Sequence, residues 1–168
     1  MQSTRFKMWQ AIIDKYICKK CLLLHGKVFD IRQPIYPLPP LHPNCLCEIV
    51  WCRALPAGSA TTRRFLGADW WLKKFGCLPN YYITGPEANG LGWVPALGNL
   101  HEIAPGKMLT GGVYKNKEEK LPLMPGRVWQ EADINYSKGW RGRSRVLFSN
   151  NGLVFVTYDH CETFLEII

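Results

Sequence analysis

Gly126-Arg127-Val128-Trp129-Gln130-Glu131-Ala132-Asp133-Ile134-Asn135-Tyr136 is the stretch from which the rest of the chain can be read. Val128, Trp129 and Ile134 mark a β-strand, and a carboxylate, Glu131, sits among them. On such a strand Glu131 would ordinarily be a solvated face position. Downstream, Val146 to Ser149 predicts a second strand. Asn151-Gly152 then supplies a tight hairpin turn before the strand Leu153-Val154-Phe155-Val156. Upstream the period changes. Phe65, Trp70, Trp71 and Phe75 lie near helical spacing, and Gly76 can stop that helix. Thr84-Gly85-Pro86-Glu87 reads as a capping box with Pro in the first turn. Helices first and strands afterwards predict an α+β fold, with N-terminal helices packed on a twisted antiparallel β-sheet. That sheet would present Glu131, Arg145 and His160 on one concave face.

The 168 residues suffice for one full domain or a small domain with an appendage. A hydrophobic content of 47% argues for a packed core rather than disorder. The net charge of +8 favours a polyanionic partner, nucleic acid first and an anionic membrane second. No apolar run approaches the length of a membrane span, and the Cys21-Leu22-Leu23-Leu24 run is too short for a signal-peptide core. The sequence thus contains no visible export signal, and no membrane partner is expected.

Before the helical pattern the chain has another character. Residues 8–24 show a short helical period (Met8, Ile12, Ile13, Tyr16, Ile17) that runs into Cys18-Lys19-Lys20-Cys21. Pro34, Pro37, Pro39, Pro40 and Pro43 exclude regular structure over 33–44 and predict an extended arm. Residues 53–64 have the small and polar composition of a linker. The expected division is a Cys/Pro-rich segment over 1–52, a linker over 53–64 and a folded unit over 65–168.

Several blocks in the folded unit resemble the barnase-like, guanyl-preferring bacterial ribonucleases. They are Leu78-Pro79-Asn80-Tyr81-Tyr82-Ile83-Thr84, Leu91-Gly92-Trp93-Val94, Gly98-Asn99-Leu100 and Ala104-Pro105-Gly106-Lys107. The block Gly126 to Tyr136 follows, then Thr157-Tyr158-Asp159-His160 and Thr163-Phe164. The resemblance implies the microbial ribonuclease fold and an endonuclease that cleaves RNA 3′ of guanosine without a catalytic cofactor. In that reading Glu131 is the general base and His160 the general acid. Arg141 and Arg145 grip the scissile phosphate, with Lys117 where the family usually has Arg. Tyr114-Lys115-Asn116-Lys117-Glu118 resembles the guanine-recognition loop, in which Asn116 orders the turn and Glu118 accepts from guanine N1 and N2. Most of the tryptophans are expected in the core, while Tyr158, just before the acid, is a base-stacking candidate.

Two positions depart from the family pattern. Gly85 stands where the family has a lysine, and Gly112 where it has an aspartate. Loss of a preorganised cation of that kind costs on the order of 10²–10³ in rate. The alternative is therefore a catalytically weakened RNA-binding or structural protein. The resemblance also implies RNA as partner and a small acidic, barstar-like inhibitor if the chain acts as a toxin.

The first third is similar to the C-terminal end of phage minor head-morphogenesis proteins. The matching elements are Cys18-x-x-Cys21, Leu24-His25-Gly26-Lys27-Val28-Phe29 and Pro40-Leu41-His42-Pro43-Asn44-Cys45-Leu46-Cys47. That implies a truncated, phage-derived segment carrying a nuclease module. The ribonuclease family is commonly secreted, and delivery with a phage-like particle would reconcile that with the missing signal. Cys18, Cys21, Cys45 and Cys47 have spacing compatible with a structural zinc, with His25 and His42 as spare ligands. The competing reading is a cluster of reduced thiols with no ion.

Overall fold

The structure, a computed structural model, describes residues 6–12, 14–25, 28–30, 32, 34–51 and 54–168. Among the described residues ten strands form two sheets. The smaller contains β1 (Phe6–Gln10), β2 (Val28–Asp30) and β3 (Glu48–Trp51), in the order β2-β1-β3 and antiparallel throughout. Residues 8–10, expected to be helical, are therefore strand. Met8 pairs with Val28 on one side and Val50 on the other, so backbone bonding on both edges overrides a short helical period. The helix starts later, as α1 (Lys19–Leu24), with Cys18 at its N-cap.

The larger sheet contains β4 (Ala54–Leu55), β5 (Tyr82–Thr84), β6 (Met108–Tyr114), β7 (Trp129–Asp133), β8 (Arg145–Ser149), β9 (Val154–Thr157) and β10 (Leu165–Ile167). Their order is β4-β10-β9-β8-β7-β6-β5. From β6 to β10 neighbours are antiparallel, as expected. Both outer pairs, β4 with β10 and β5 with β6, are parallel, so the sheet is mixed.

β4 also corrects the expected linker. Leu55 is fully buried, and Ile168 exchanges backbone hydrogen bonds with Leu55 and Ala57 (both 2.9 Å). The amides of Gly58 and Ala60 donate to the buried carboxylate of Asp69 at 2.7 and 3.0 Å. Burial raises the pKa of Asp69, and those amide bonds pull it back. Residues 54–64 are thus built into the folded unit. Their small side chains serve close packing.

Among the helices, α2 (Ala68–Phe75) ends where expected, at Gly76, whose φ of 71° is the left-handed conformation a helix end favours in glycine. Its buried face is Ala68, Asp69 and Leu72, not the aromatic stripe. Trp70 and Trp71 are half-buried; Trp70 meets Phe65 edge-on and Trp71 packs at a tilt on Phe75, and both phenylalanines are exposed. α3 (Gly85–Gly90) carries the expected capping box, Thr84 and Glu87 each bonding the other's backbone amide. α4 (Leu100–Ile103) follows. No described helix is long and apolar enough to cross a membrane.

Strand alternation divides the large sheet into two faces. Ala132, Val146, Val154 and Val156 point to one, where Ala68 and Leu72 of α2 cover them. Trp129, Leu147 and Phe155 point to the other and pack with Phe164 and Tyr114. The same parity puts Glu131, Asp133, Arg145 and Thr157 on this second face. Glu131 lies opposite Leu147, which lies opposite Phe155; Asp133 lies opposite Arg145, which lies opposite Thr157.

Candidate active site

Glu131 is half-buried on β7, and its side chain runs across Gly111 of the neighbouring strand. A Cβ at Gly111 would come within 2.9 Å of Glu131 Cγ and Oε1, so any larger residue there would make the carboxylate shift. The β6–β7 register shifts between Thr110 and Gly112, a bulge that opens this space.

Two residues further along the same face, Asp133 is buried at 1% exposure and binds both arginines. Nε and Nη2 of Arg141 donate to its two oxygens, each at 2.7 Å, and Nε of Arg145 lies 3.0 Å from Oδ1. This forked geometry is the strong form of the ion pair. It holds Arg141 protonated even more firmly than usual, the hydrogen bonds to Asp133 being the main cause. Nη1 of Arg145 donates to the carbonyls of Gly142 and Ser144 at 2.7 and 2.8 Å. Arg145 is therefore a buried, fixed positive charge, whereas the Arg141 side chain is one-third exposed, at 34%. Arg141, Arg143 and Arg145 alternate along the sequence, but they do not lie on one strand. β8 begins at Arg145, and Arg141 reaches Asp133 from the preceding loop. Sequence reading missed Asp133, although its place two residues from Glu131 already assigned it to the same face.

His160 is exposed on the loop after β9. Both His160 and Cys161 have left-handed backbones, with φ of 61° and 67°. Such a conformation in two consecutive non-glycine residues needs outside support. Asp159 provides it. Its Oδ1 accepts from Thr157 Oγ1 and the Thr163 amide (both 2.9 Å), and its Oδ2 accepts from Thr163 Oγ1 at 2.5 Å. The amide of His160 donates to the Arg143 carbonyl at 3.1 Å, tying this loop to the arginine loop.

Cys161, absent from the sequence reading, shows what this loop faces. Burial raises its thiol pKa, and the charge of Glu131 raises it further. The Tyr114 hydroxyl and Arg145 act in the opposite direction. Glu131, Arg145, Tyr114 and the residue after His160 thus share one electrostatic environment.

The 114–121 loop borders it. Asn116 is buried with φ of 45°; its amide group donates to the Leu121 carbonyl (3.0 Å) and accepts from the Leu121 amide (3.1 Å). Both its functions are committed to Leu121 within the loop. Glu118 pairs with Lys120 at 2.5 Å, and Lys120 also donates to the Cys161 carbonyl at 3.3 Å. Lys120 was not singled out in the sequence, yet it links this loop to the one bearing His160. Lys115 and Lys117 are exposed, and the Tyr114 ring packs on Phe164. Burial, first of all, pushes the Tyr114 hydroxyl up to about 12.

Tyr158 corrects the stacking expectation. It has the parity of Val154 and Val156, its ring packs against the α2-side core, and its hydroxyl donates to the Ala60 carbonyl at 2.6 Å. A single-residue step along the chain places it on the opposite face from Glu131. Gly85, at the start of α3, and Gly112 both have open space where a Cβ would project.

A ribonuclease family model matches residues 72–168, which include Glu131, Asp133, both arginines and His160. The chain belongs to the ribonuclease family. The ribonuclease of Heyndrickxia coagulans is 44% identical over 108 residues, covering 64% of this chain and 99% of that protein. Those of Bacillus intermedius and Bacillus pumilus are each 44% identical over 108 residues, covering 67% of their own length. The three-stranded sheet and its cysteines lie outside the part matched by the ribonuclease model.

Proposed function

We propose that this ribonuclease-family chain is an RNA endonuclease that cuts by internal transesterification and needs no metal for the chemistry. The observation that carries this reading is the second face of the sheet. There the Glu131 carboxylate lies two residues along the same face from Asp133, which anchors Arg141 and Arg145, and the loop that bears His160 is bonded to the arginine loop. RNA supplies its own nucleophile. Glu131 takes the proton of the ribose 2′-hydroxyl, and the 2′-oxygen attacks the adjacent phosphorus as the bond to the 5′-oxygen breaks. His160 in its protonated form gives a proton to that departing oxygen. Arg141, with Arg145 behind it and Lys117 near the rim, offsets the charge that develops on the phosphorane. The product is a 2′,3′-cyclic phosphate, which water opens with the two roles exchanged.

For base choice, the 114–121 loop supports guanine 5′ of the scissile bond. Glu118, oriented by Lys120, is the acceptor for guanine N1 and N2, which adenine cannot match. Tyr114 and Lys115 flank it. The basic surface suits a small acidic inhibitor and a toxin-type role, with the first 52 residues a phage-derived carrier segment. Short oligoribonucleotides incubated in chelator test the whole reading. Cleavage 3′ of guanosine with cyclic-phosphate ends is expected. Binding without cleavage would instead favour a weakened, RNA-binding protein, the second reading that Gly85 motivates.

A further inference from the structure

The Cys/Pro-rich segment brings five metal-competent side chains to one place. Cys18, Cys21 and His42 have ligand atoms all within 4.8 Å of one another, and so do Cys21, Cys45 and Cys47. Cys21 belongs to both groups and is buried at 3% exposure, while the other four are partly exposed. The donors come from two distant parts of the segment, the start of α1 and the loop before β3. Folding, not local spacing, therefore assembles them.

The distances have the scale of a tetrahedral ion. With zinc–sulfur bonds of about 2.3 Å and zinc–nitrogen bonds of about 2.0–2.1 Å, tetrahedral edges are about 3.8 Å for two sulfurs and about 3.5 Å for sulfur and nitrogen. Cys21 Sγ lies 3.7 Å from Cys45 Sγ and 3.4 Å from His42 Nε2. A disulfide would need its sulfurs near 2.0 Å, and Cys18, Cys21, Cys45 and Cys47 are all free thiols.

His42 is also oriented as a ligand. Its Nδ1 lies 2.8 Å from the Pro43 carbonyl, which can only accept, so Nδ1 carries the hydrogen. In the neutral ring Nε2 then presents its lone pair, and Nε2 is the atom directed at Cys21. A backbone carbonyl on the far ring nitrogen is the usual support of a metal-bound histidine. Cys18 has a comparable anchor: the Cys21 amide donates to its sulfur at 3.4 Å.

We propose that Cys21 and His42, with two of the thiols of Cys18, Cys45 and Cys47, form a tetrahedral site for zinc, which cross-links the start of α1 to the loop before β3. His42, a spare ligand in the sequence, stands in the group with Cys18 and Cys21, while Cys45 and Cys47 share Cys21 from the other side. Such a cross-link suits this part of the chain. From residue 6 to 51 the described buried apolar side chains are Met8, Trp9, Ala11, Cys21 and Ile35; Met8 packs into the core of the large sheet, and the few that remain make a small core of the kind that metals commonly staple.

Cobalt(II) titration of the reduced full-length chain tests the site, because tetrahedral thiolate coordination gives intense visible bands and sulfur-to-metal charge transfer. One cobalt per chain is expected, displaced by one equivalent of zinc. Cys21→Ser, which removes the donor common to both groups, and His42→Ala should each lower the affinity at least tenfold. Absence of the thiolate spectrum in the wild-type chain would overturn the site altogether. Wild-type affinity in His42→Ala would overturn the part given to the histidine. Ribonuclease activity should be the same with and without the metal. Protease cleavage near Lys19 and Lys20 should rise at least tenfold when a chelator removes it. Unchanged cleavage would exclude the cross-linking role.

Discussion

The seven-stranded sheet and the three-stranded sheet are held by different material. The larger one covers clusters of buried apolar side chains on both faces, so its polar groups can be devoted to a site. The smaller one exposes Tyr16, Tyr36, Leu46 and Trp51 and gathers its cysteines around one buried sulfur. A hydrophobic core is non-directional and tolerates exchange of similar side chains. A ligand cluster depends on a few atoms at set distances. Changes at the site should therefore act on catalysis or on the large sheet and leave the N-terminal cluster untouched.

The largest separation should come from Glu131→Gln and His160→Ala. Each is expected to lower kcat by about 10²–10⁴-fold without moving the melting temperature, since neither is buried among apolar groups. A wild-type pH profile should be bell-shaped, reporting one group that must be deprotonated and one that must be protonated. Wild-type cleavage by either variant would remove it from the mechanism.

Asp133→Ala should act on stability as well. It leaves Arg145 buried with its carboxylate partner gone, at a cost of about 3–5 kcal/mol, which urea denaturation would read. A loss under about 1 kcal/mol would show that the carbonyls of Gly142 and Ser144 hold the arginine unaided. Cobalt binding at the N-terminal cluster should be unaffected.

Gly85→Lys should raise activity by about tenfold to 100-fold, part of what one preorganised donor contributes. The open space at Gly85 removes the steric objection. An unchanged rate would mean that the other cations already supply the charge.

The smallest effect concerns Cys161. Because the Glu131 charge helps to hold its thiol protonated, Glu131→Gln should lower that pKa. Below the raised pKa, alkylation follows the thiolate fraction. The variant should thus be alkylated a few-fold faster at neutral pH, as read by peptide mass spectrometry. An equal rate would separate Cys161 from Glu131.

Much of the large unit is legible in one dimension because its signals are local. The Thr84–Glu87 capping box, the Gly76 helix end and the strands around Glu131 and Leu147 each arise within a few residues, and the structure carries all of them. Errors fall where a distant partner decides. β1 becomes a strand because β2 and β3 flank it, and 54–64 becomes sheet and packing because β10 and Asp69 receive it.

By itself the sequence determined the class of fold, the strand carrying Glu131, the basic character of the chain and the cysteine pairs. Periodicity, capping and composition are properties of neighbouring residues. Only the tertiary structure decided that Tyr158 faces away from Glu131, that one buried aspartate binds both arginines, and that His42 joins the cysteines. Each of these depends on which strands and loops become neighbours in space, and that follows from burying the whole chain at once.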